Sequence, residues 1–169
     1  EPHFFDVVIS RFGVMFFEHP LKAFTNIHRS MKKGGRLNLL VWKTFDENLW
    51  MKVPASAAFK ILERPEPPKE GEPGPFSLCD SDAFGEMLSA AGFDDITFVS
   101  NKLNLNLGSL NEAVQLMTQL GPAAKPYGEA PSDLQKQARK SMEAVLSQHE
   151  SASGVLLPSA FWLVRATAL

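Results

Sequence analysis

The chain has 169 residues, 44% of them hydrophobic and 21% charged, with a net charge of −2; that suits one domain with a real core and gives no electrostatic reason to expect a nucleic acid or an anionic membrane as partner. Its single cysteine, Cys79, excludes an intrachain disulfide and suggests neither secretion nor a thiolate metal site. The longest apolar runs fall far short of a membrane span, no signal peptide is evident, and a cytoplasmic setting is expected.

Phe4 to Ile9 is a continuous apolar run broken only by Asp6, the pattern of a strand covered on both faces, as in a parallel sheet. From about Pro20 to Lys32 the spacing predicts a helix with Pro at its first position and Leu21, Phe24, Ile27, His28 and Met31 on one stripe. Lys32 and Lys33 would complement its negative end, with Gly34-Gly35 as the stop. Leu37 to Trp42 reads as a second buried strand, so the first part of the chain is a right-handed βαβ unit of about forty residues.

Lys43 to Ala58 carries Phe45, Trp50 and Met51 and reads as helical from about Leu49. The Pro/Glu/Gly stretch Glu63–Gly74 is incompatible with regular structure. Asp80 or Ser81 can cap a helix to Ala91, ended by Gly92. Ile96 to Leu107 is strand-like. Ser109-Leu110-Asn111-Glu112 is a capping-box pattern opening a helix to Leu120, and Ser132-Asp133-Leu134-Gln135 is a second one opening a helix to about His149. Gly154 to Ala168, centred on Phe161 to Val164, reads as the last strand. The fold class is α/β, with a sheet of about four strands.

Phe5 to Phe17 and the segment Met31-Lys32-Lys33-Gly34-Gly35-Arg36-Leu37 resemble the fourth through fifth strands of class I S-adenosylmethionine-dependent methyltransferases, and are most similar to the bacterial small-molecule type that includes ubiquinone and menaquinone biosynthesis enzymes. Lys33 stands where that family usually has Pro. Gly74 to Leu78 and Ala90-Ala91-Gly92-Phe93 resemble the segment leading through its fifth helix. The resemblance covers nearly the whole chain, as the C-terminal half of a Rossmann-like sheet. It implies the strand order 4-5-7-6, with the last strand antiparallel between the strands at Leu37–Trp42 and Ile96–Asn101. It also implies one partial domain over 1–169, with a lid segment at 43–78 and a helical insert at 109–150.

The resemblance implies S-adenosylmethionine as cofactor, with Ser10, Arg11, Phe12 and Met15 near its methionine part. It further implies a small, apolar methyl acceptor under a lid lined by Trp42, Phe45, Trp50, Met51 and Phe76. The same residues also fit the plainer reading of ordinary core. No G-x-G turn occurs in the sequence, so the usual cofactor loop is missing and the chain alone is expected to be inactive. His19, Asp46 and Glu47 are candidate bases, with solvated surface as the alternative. The four histidines lack metal-ligand spacing, so no metal is expected.

Two functions from different classes follow. One is half of a methyltransferase; the other is a non-catalytic, self-associating half-domain. In the second, the strand at 4–9 is a free apolar edge. Either two copies meet along it as a homodimer, or the helices at 110–148 cover the apolar face. A short-chain dehydrogenase would need Lys four residues after a Tyr; the only tyrosine is Tyr127 and position 131 is Pro.

Overall fold

The computed structural model describes residues 3–69 and 71–169. The chain forms two compact units, Glu1–Thr44 with Pro68–Asn101 and Ala160–Leu169, and Phe45–Pro67 with Lys102–Ser159.

The first unit is built on a mixed sheet. Strand β1 (Phe5–Arg11) runs parallel to β2 (Met31–Trp42), β2 runs antiparallel to β5 (Gly154–Ala168), and β5 is hydrogen-bonded to β3 (Phe93–Asn106), giving the order β1-β2-β5-β3. The last strand therefore lies between the two strands expected to flank it. Helices α1 (Pro20–Ser30) and α3 (Ser81–Ala90) supply the core side. Leu37, Leu39 and Val41 alternate along β2, and with Val164 and Ala166 of β5 they meet Phe24, Phe84 and Leu88. This period of two is what a strand buried on one face requires. Phe24 and Phe84 touch with ring centroids 5.4 Å apart, and the Trp162 indole N–H donates to the Cys79 carbonyl at 2.9 Å.

Three expectations need correction in this unit. First, β1 is not covered on both faces: among the described residues it pairs with β2 alone, and Phe5, Val7 and Ile9 are 47%, 41% and 77% exposed. Among the described residues the run Phe4–Ile9 lies at the sheet edge, as the order 4-5-7-6 implied, and only Val8 and Ser10 of β1 turn toward the core side. Second, α1 ends at Ser30 because Met31 is already extended, at φ −88° and ψ 151°. Lys32 then lies in β2 and reaches across to Asp6 at 2.9 Å instead of capping the helix. Third, Gly34-Gly35 does not stop the helix. Phe5 pairs with Met31 but Val7 pairs with Arg36, so β2 carries a bulge there. Gly34 takes φ 76°, and a Cβ on Gly35 would lie 2.8 Å from the Lys32 carbonyl oxygen.

The second unit is helical. It contains α2 (Leu49–Ala58), α4 (Leu110–Met117), α5 (Ala124–Glu129) and α6 (Ser132–Leu146), with the two-residue strand β4 (Glu150–Ser151) folding back on the start of β5. Helices α2, α4 and α6 pack on one another. Met51, Ala55 and Ala58 of α2 are buried, as are Val114 of α4 and Ala138, Met142 and Leu146 of α6. The Ser141 hydroxyl donates to the Ala57 carbonyl at 2.9 Å. The capping box at Ser109 and Glu112 forms as expected. The one at Ser132 does not: Pro131 is the N-cap residue and the helix opens at Ser132 without a side-chain cap. Helix α5 was not anticipated; its Pro126 lies in the first turn, where no intrahelical N–H is needed.

Candidate functional site

Ligands in open α/β sheets bind beyond the carboxyl ends of the strands. In the first unit, β1 ends there on Ser10 and Arg11. Ser10 is half-buried, and its hydroxyl stands 3.3 Å from where a Cβ on Gly13 would be. Arg11 is exposed and forms no ion pair among the described residues.

Phe12 is the unusual residue. Its φ is 58°, a left-handed backbone that costs a residue with a Cβ roughly 1–2 kcal/mol. Two contacts hold it there. Its N–H donates to the Leu40 carbonyl at 2.9 Å, extending the β1–β2 pairing by one bond. Its ring stacks on Trp42 at the end of β2, with centroids 3.9 Å apart and planes 8° apart. Phe161 meets both rings edge-on, at 6.0 Å from Phe12 and 6.3 Å from Trp42. Backbone strain of this kind concentrates at ligand clamps and functional turns.

The chain then makes a 3-10 turn at Val14–Phe16. Met15 faces the core at 1% exposure, and its sulfur accepts the Trp42 N–H at 3.4 Å. The Met15 carbonyl accepts from the Gly74 N–H at 3.0 Å and the Ser77 hydroxyl at 2.7 Å, which ties the segment around Phe76 to the turn. The first unit thus gathers Ser10, Arg11, Phe12, Met15 and Trp42, with half-buried Phe76 on the tethered segment.

Phe45, Trp50 and Met51 belong to the second unit. Trp50 and Met51 are buried on α2, with the Trp50 indole N–H donating to the Asn48 side-chain oxygen at 3.2 Å. Met51 lies against Gly121, where a Cβ would come within 3.1 Å of the Met51 Cγ. Of the candidate bases, His19 is exposed at the N-cap of α1 without making a side-chain cap, and Asp46 is tied to Lys52 at 2.8 Å. Glu47 closes the 3-10 turn Phe45–Glu47. Among the described residues, no group of three His, Cys, Asp or Glu side chains could hold a metal ion.

Sequence reasoning missed Phe161. Its signal was the expected antiparallel pairing of the last strand with the second, because the register sets Trp42 directly opposite Phe161. The edge as a whole offers binding more than proton transfer: a wall of three aromatic rings and a guanidinium with no carboxylate partner among the described residues.

Residues 1–39 match the family model described as a methyltransferase domain. No curated protein matches the chain in sequence. Among solved structures, a Bacillus halodurans protein described as a methyltransferase shares 12% identity at a TM-score of 0.50, over 99% of this chain and 71% of its own. The YcgJ protein of Bacillus subtilis shares 15% at a TM-score of 0.48, over 98% of this chain and 64% of its own. Phosphoethanolamine N-methyltransferase 2 of Haemonchus contortus, solved with S-adenosylhomocysteine, shares 17% at 0.42, over 99% of this chain and 34% of its own. This chain therefore spans between a third and seven-tenths of the length of these structures. The fold is the mixed α/β fold of methyltransferase-like proteins, and β1, α1 and most of β2 carry that family's sequence pattern.

Proposed function

We propose that this chain belongs to an S-adenosylmethionine-dependent methyltransferase and contributes the part of the cofactor site that lies on the carboxyl edge of β1 and β2. The observation that carries this reading is Phe12, held at φ 58° where the parallel strands end. The residues present fit the amino-acid end of the cofactor. Arg11 has no acidic partner among the described residues and can form charge-assisted hydrogen bonds with a carboxylate, while the bend at Phe12 and the small Gly13 let the backbone approach a ligand. They leave the adenosine end without the glycine-rich turn, because no G-x-G occurs in the 169 residues. Turnover by this chain alone is accordingly not expected.

When bound, S-adenosylmethionine supplies an electrophilic methyl group on a sulfonium. Arg11 anchors, and the Phe12–Trp42–Phe161 wall excludes water from one side. Methyl transfer depends mainly on such positioning and desolvation. An apolar acceptor of small size suits these rings, with Phe76 as a further acceptor-side residue. A cytoplasmic setting agrees with the single cysteine of the sequence, and among the described residues no helix is long and apolar enough to cross a membrane.

Calorimetric titration with S-adenosylhomocysteine tests the reading. Binding is expected, with Arg11→Ala weakening it about tenfold, the equivalent of 1.4 kcal/mol. Absence of heat, together with unshifted amide resonances at Arg11 and Phe12, would sink it. A second reading, a non-catalytic module that self-associates, is favoured by the exposed apolar side chains of β1.

A further inference from the structure

We propose that Ser77 is a positioning residue for the carboxyl edge of β1: through the Met15 carbonyl it holds the left-handed turn at Phe12, and with it the backbone that presents Arg11 to a cofactor carboxylate. This rests on the methyltransferase reading and adds to it a residue remote in sequence that touches no ligand itself.

The turn is held between two fixed points. One is the last bond of the parallel pair, from the Phe12 N–H to the Leu40 carbonyl. The other is Met15, three residues further on. Its side chain is 1% exposed, and its sulfur accepts the Trp42 N–H at 3.4 Å. Its carbonyl accepts twice, from the Gly74 N–H at 3.0 Å and from the Ser77 hydroxyl at 2.7 Å. A carbonyl oxygen has two lone pairs, so the two donors together fix its direction. Over so short a span, Phe12 cannot leave φ 58° without giving up one of these anchors.

The donor side is itself anchored. The Ser77 N–H closes a turn onto the Gly74 carbonyl at 3.1 Å, so both donors to Met15 belong to one turn. Directly after it, Leu78 is buried in the core of the first unit, and the Trp162 indole N–H holds the Cys79 carbonyl at 2.9 Å. A serine hydroxyl in a turn ordinarily bonds to backbone a few residues away; this one reaches back 62 residues. Ser77 is also exposed, so water could satisfy its hydroxyl equally well. What the bond to Met15 adds is therefore the placement of the turn, and only secondarily the stability of the fold.

Calorimetric titration with S-adenosylhomocysteine and amide hydrogen exchange, each on the wild type, Ser77→Ala and Ser77→Thr, test this. Ser77→Ala is expected to weaken binding about three- to tenfold, the effect of one hydrogen bond. It should also speed exchange of the Phe12 amide while the mid-sheet amides of Leu39 and Val41 keep their wild-type rates. Ser77→Thr retains the hydroxyl and should restore both. Wild-type affinity in Ser77→Ala overturns the proposal. So does exchange at Leu39 and Val41 that rises as much as at Phe12, because that marks a general loss of stability. If the wild type itself binds no S-adenosylhomocysteine, the methyltransferase reading fails, and exchange alone decides whether Ser77 holds the turn: a Phe12 rate unchanged in Ser77→Ala overturns that as well.

Discussion

The ring of Phe12 lies flat on the indole of Trp42, 3.9 Å between centroids, while the Phe12 backbone is left-handed at φ 58°. An aromatic pair contributes about 0.5–1.5 kcal/mol beyond the area it buries, and left-handed backbone costs roughly 1–2 kcal/mol. The two are of one size, so the stack is what allows a bulky residue to keep the bend.

Position 12 should therefore invert a common rule. Phe12→Ala keeps the backbone cost and loses the stack, for a loss of about 2–4 kcal/mol by analogy with core truncations. Phe12→Gly loses the stack but not the conformation, and should be more stable than the Ala variant by about 1 kcal/mol. Urea unfolding at constant m-value measures both. A Gly variant no more stable than the Ala variant would mean that the backbone at 12 is not left-handed.

Gly92 follows α3 at φ 101°, and a Cβ there would sit 3.0 Å from Cε1 and Nε2 of His28 on α1. Gly92→Ala should cost roughly 2 kcal/mol, combining the left-handed penalty with the forced shift of a packed ring. In a double-mutant cycle with His28→Ala the crowding part of that cost should vanish and the backbone part remain. Strict additivity would show that His28 is not what Gly92 makes room for.

At the start of α4 the Ser109 hydroxyl donates to the Glu112 carboxylate at 2.7 Å and the Ser109 N–H donates to it at 2.8 Å, holding that carboxyl below its ordinary 4.5. A folded-state value below the unfolded one stabilises the fold above the unfolded value and loses that contribution as pH falls through the folded value. The first turn of α4 should loosen below the ordinary carboxylate range. Proton titration followed by NMR should place Glu112 low in the wild type and nearer 4.5 in Ser109→Ala. An unmoved Glu112 would rule out the hydroxyl as the main cause.

Leu39 sits mid-sheet at 1% exposure, between Ser10 on β1 and Val164 on β5. Leu39→Ala should cost about 2–5 kcal/mol, whereas Val99→Ala, at a side chain 45% exposed on β3, should stay within about 0.5 kcal/mol. Thermal melting of the two variants compares them directly, and similar losses would contradict the one-sided core.

What the sequence determined by itself was local. Helix and strand types followed from periodicity. The starts of α3 and α4 followed from Asp80 and Ser109, because a cap is a hydrogen bond over two or three residues and its chemistry is written in adjacent positions. The carboxyl-edge residues Ser10 to Phe12 were legible as a candidate site for a similar reason, since they end an apolar strand run. Tertiary structure decided what depends on partners distant in the chain. It turned Gly34-Gly35 into a bulge between strands and set Phe161 against Trp42. Each of these is fixed by strand register, a choice made between segments up to more than a hundred residues apart. A Gly-Gly pair looks the same whether it ends a helix or bulges a strand, and only the assembled sheet distinguishes them.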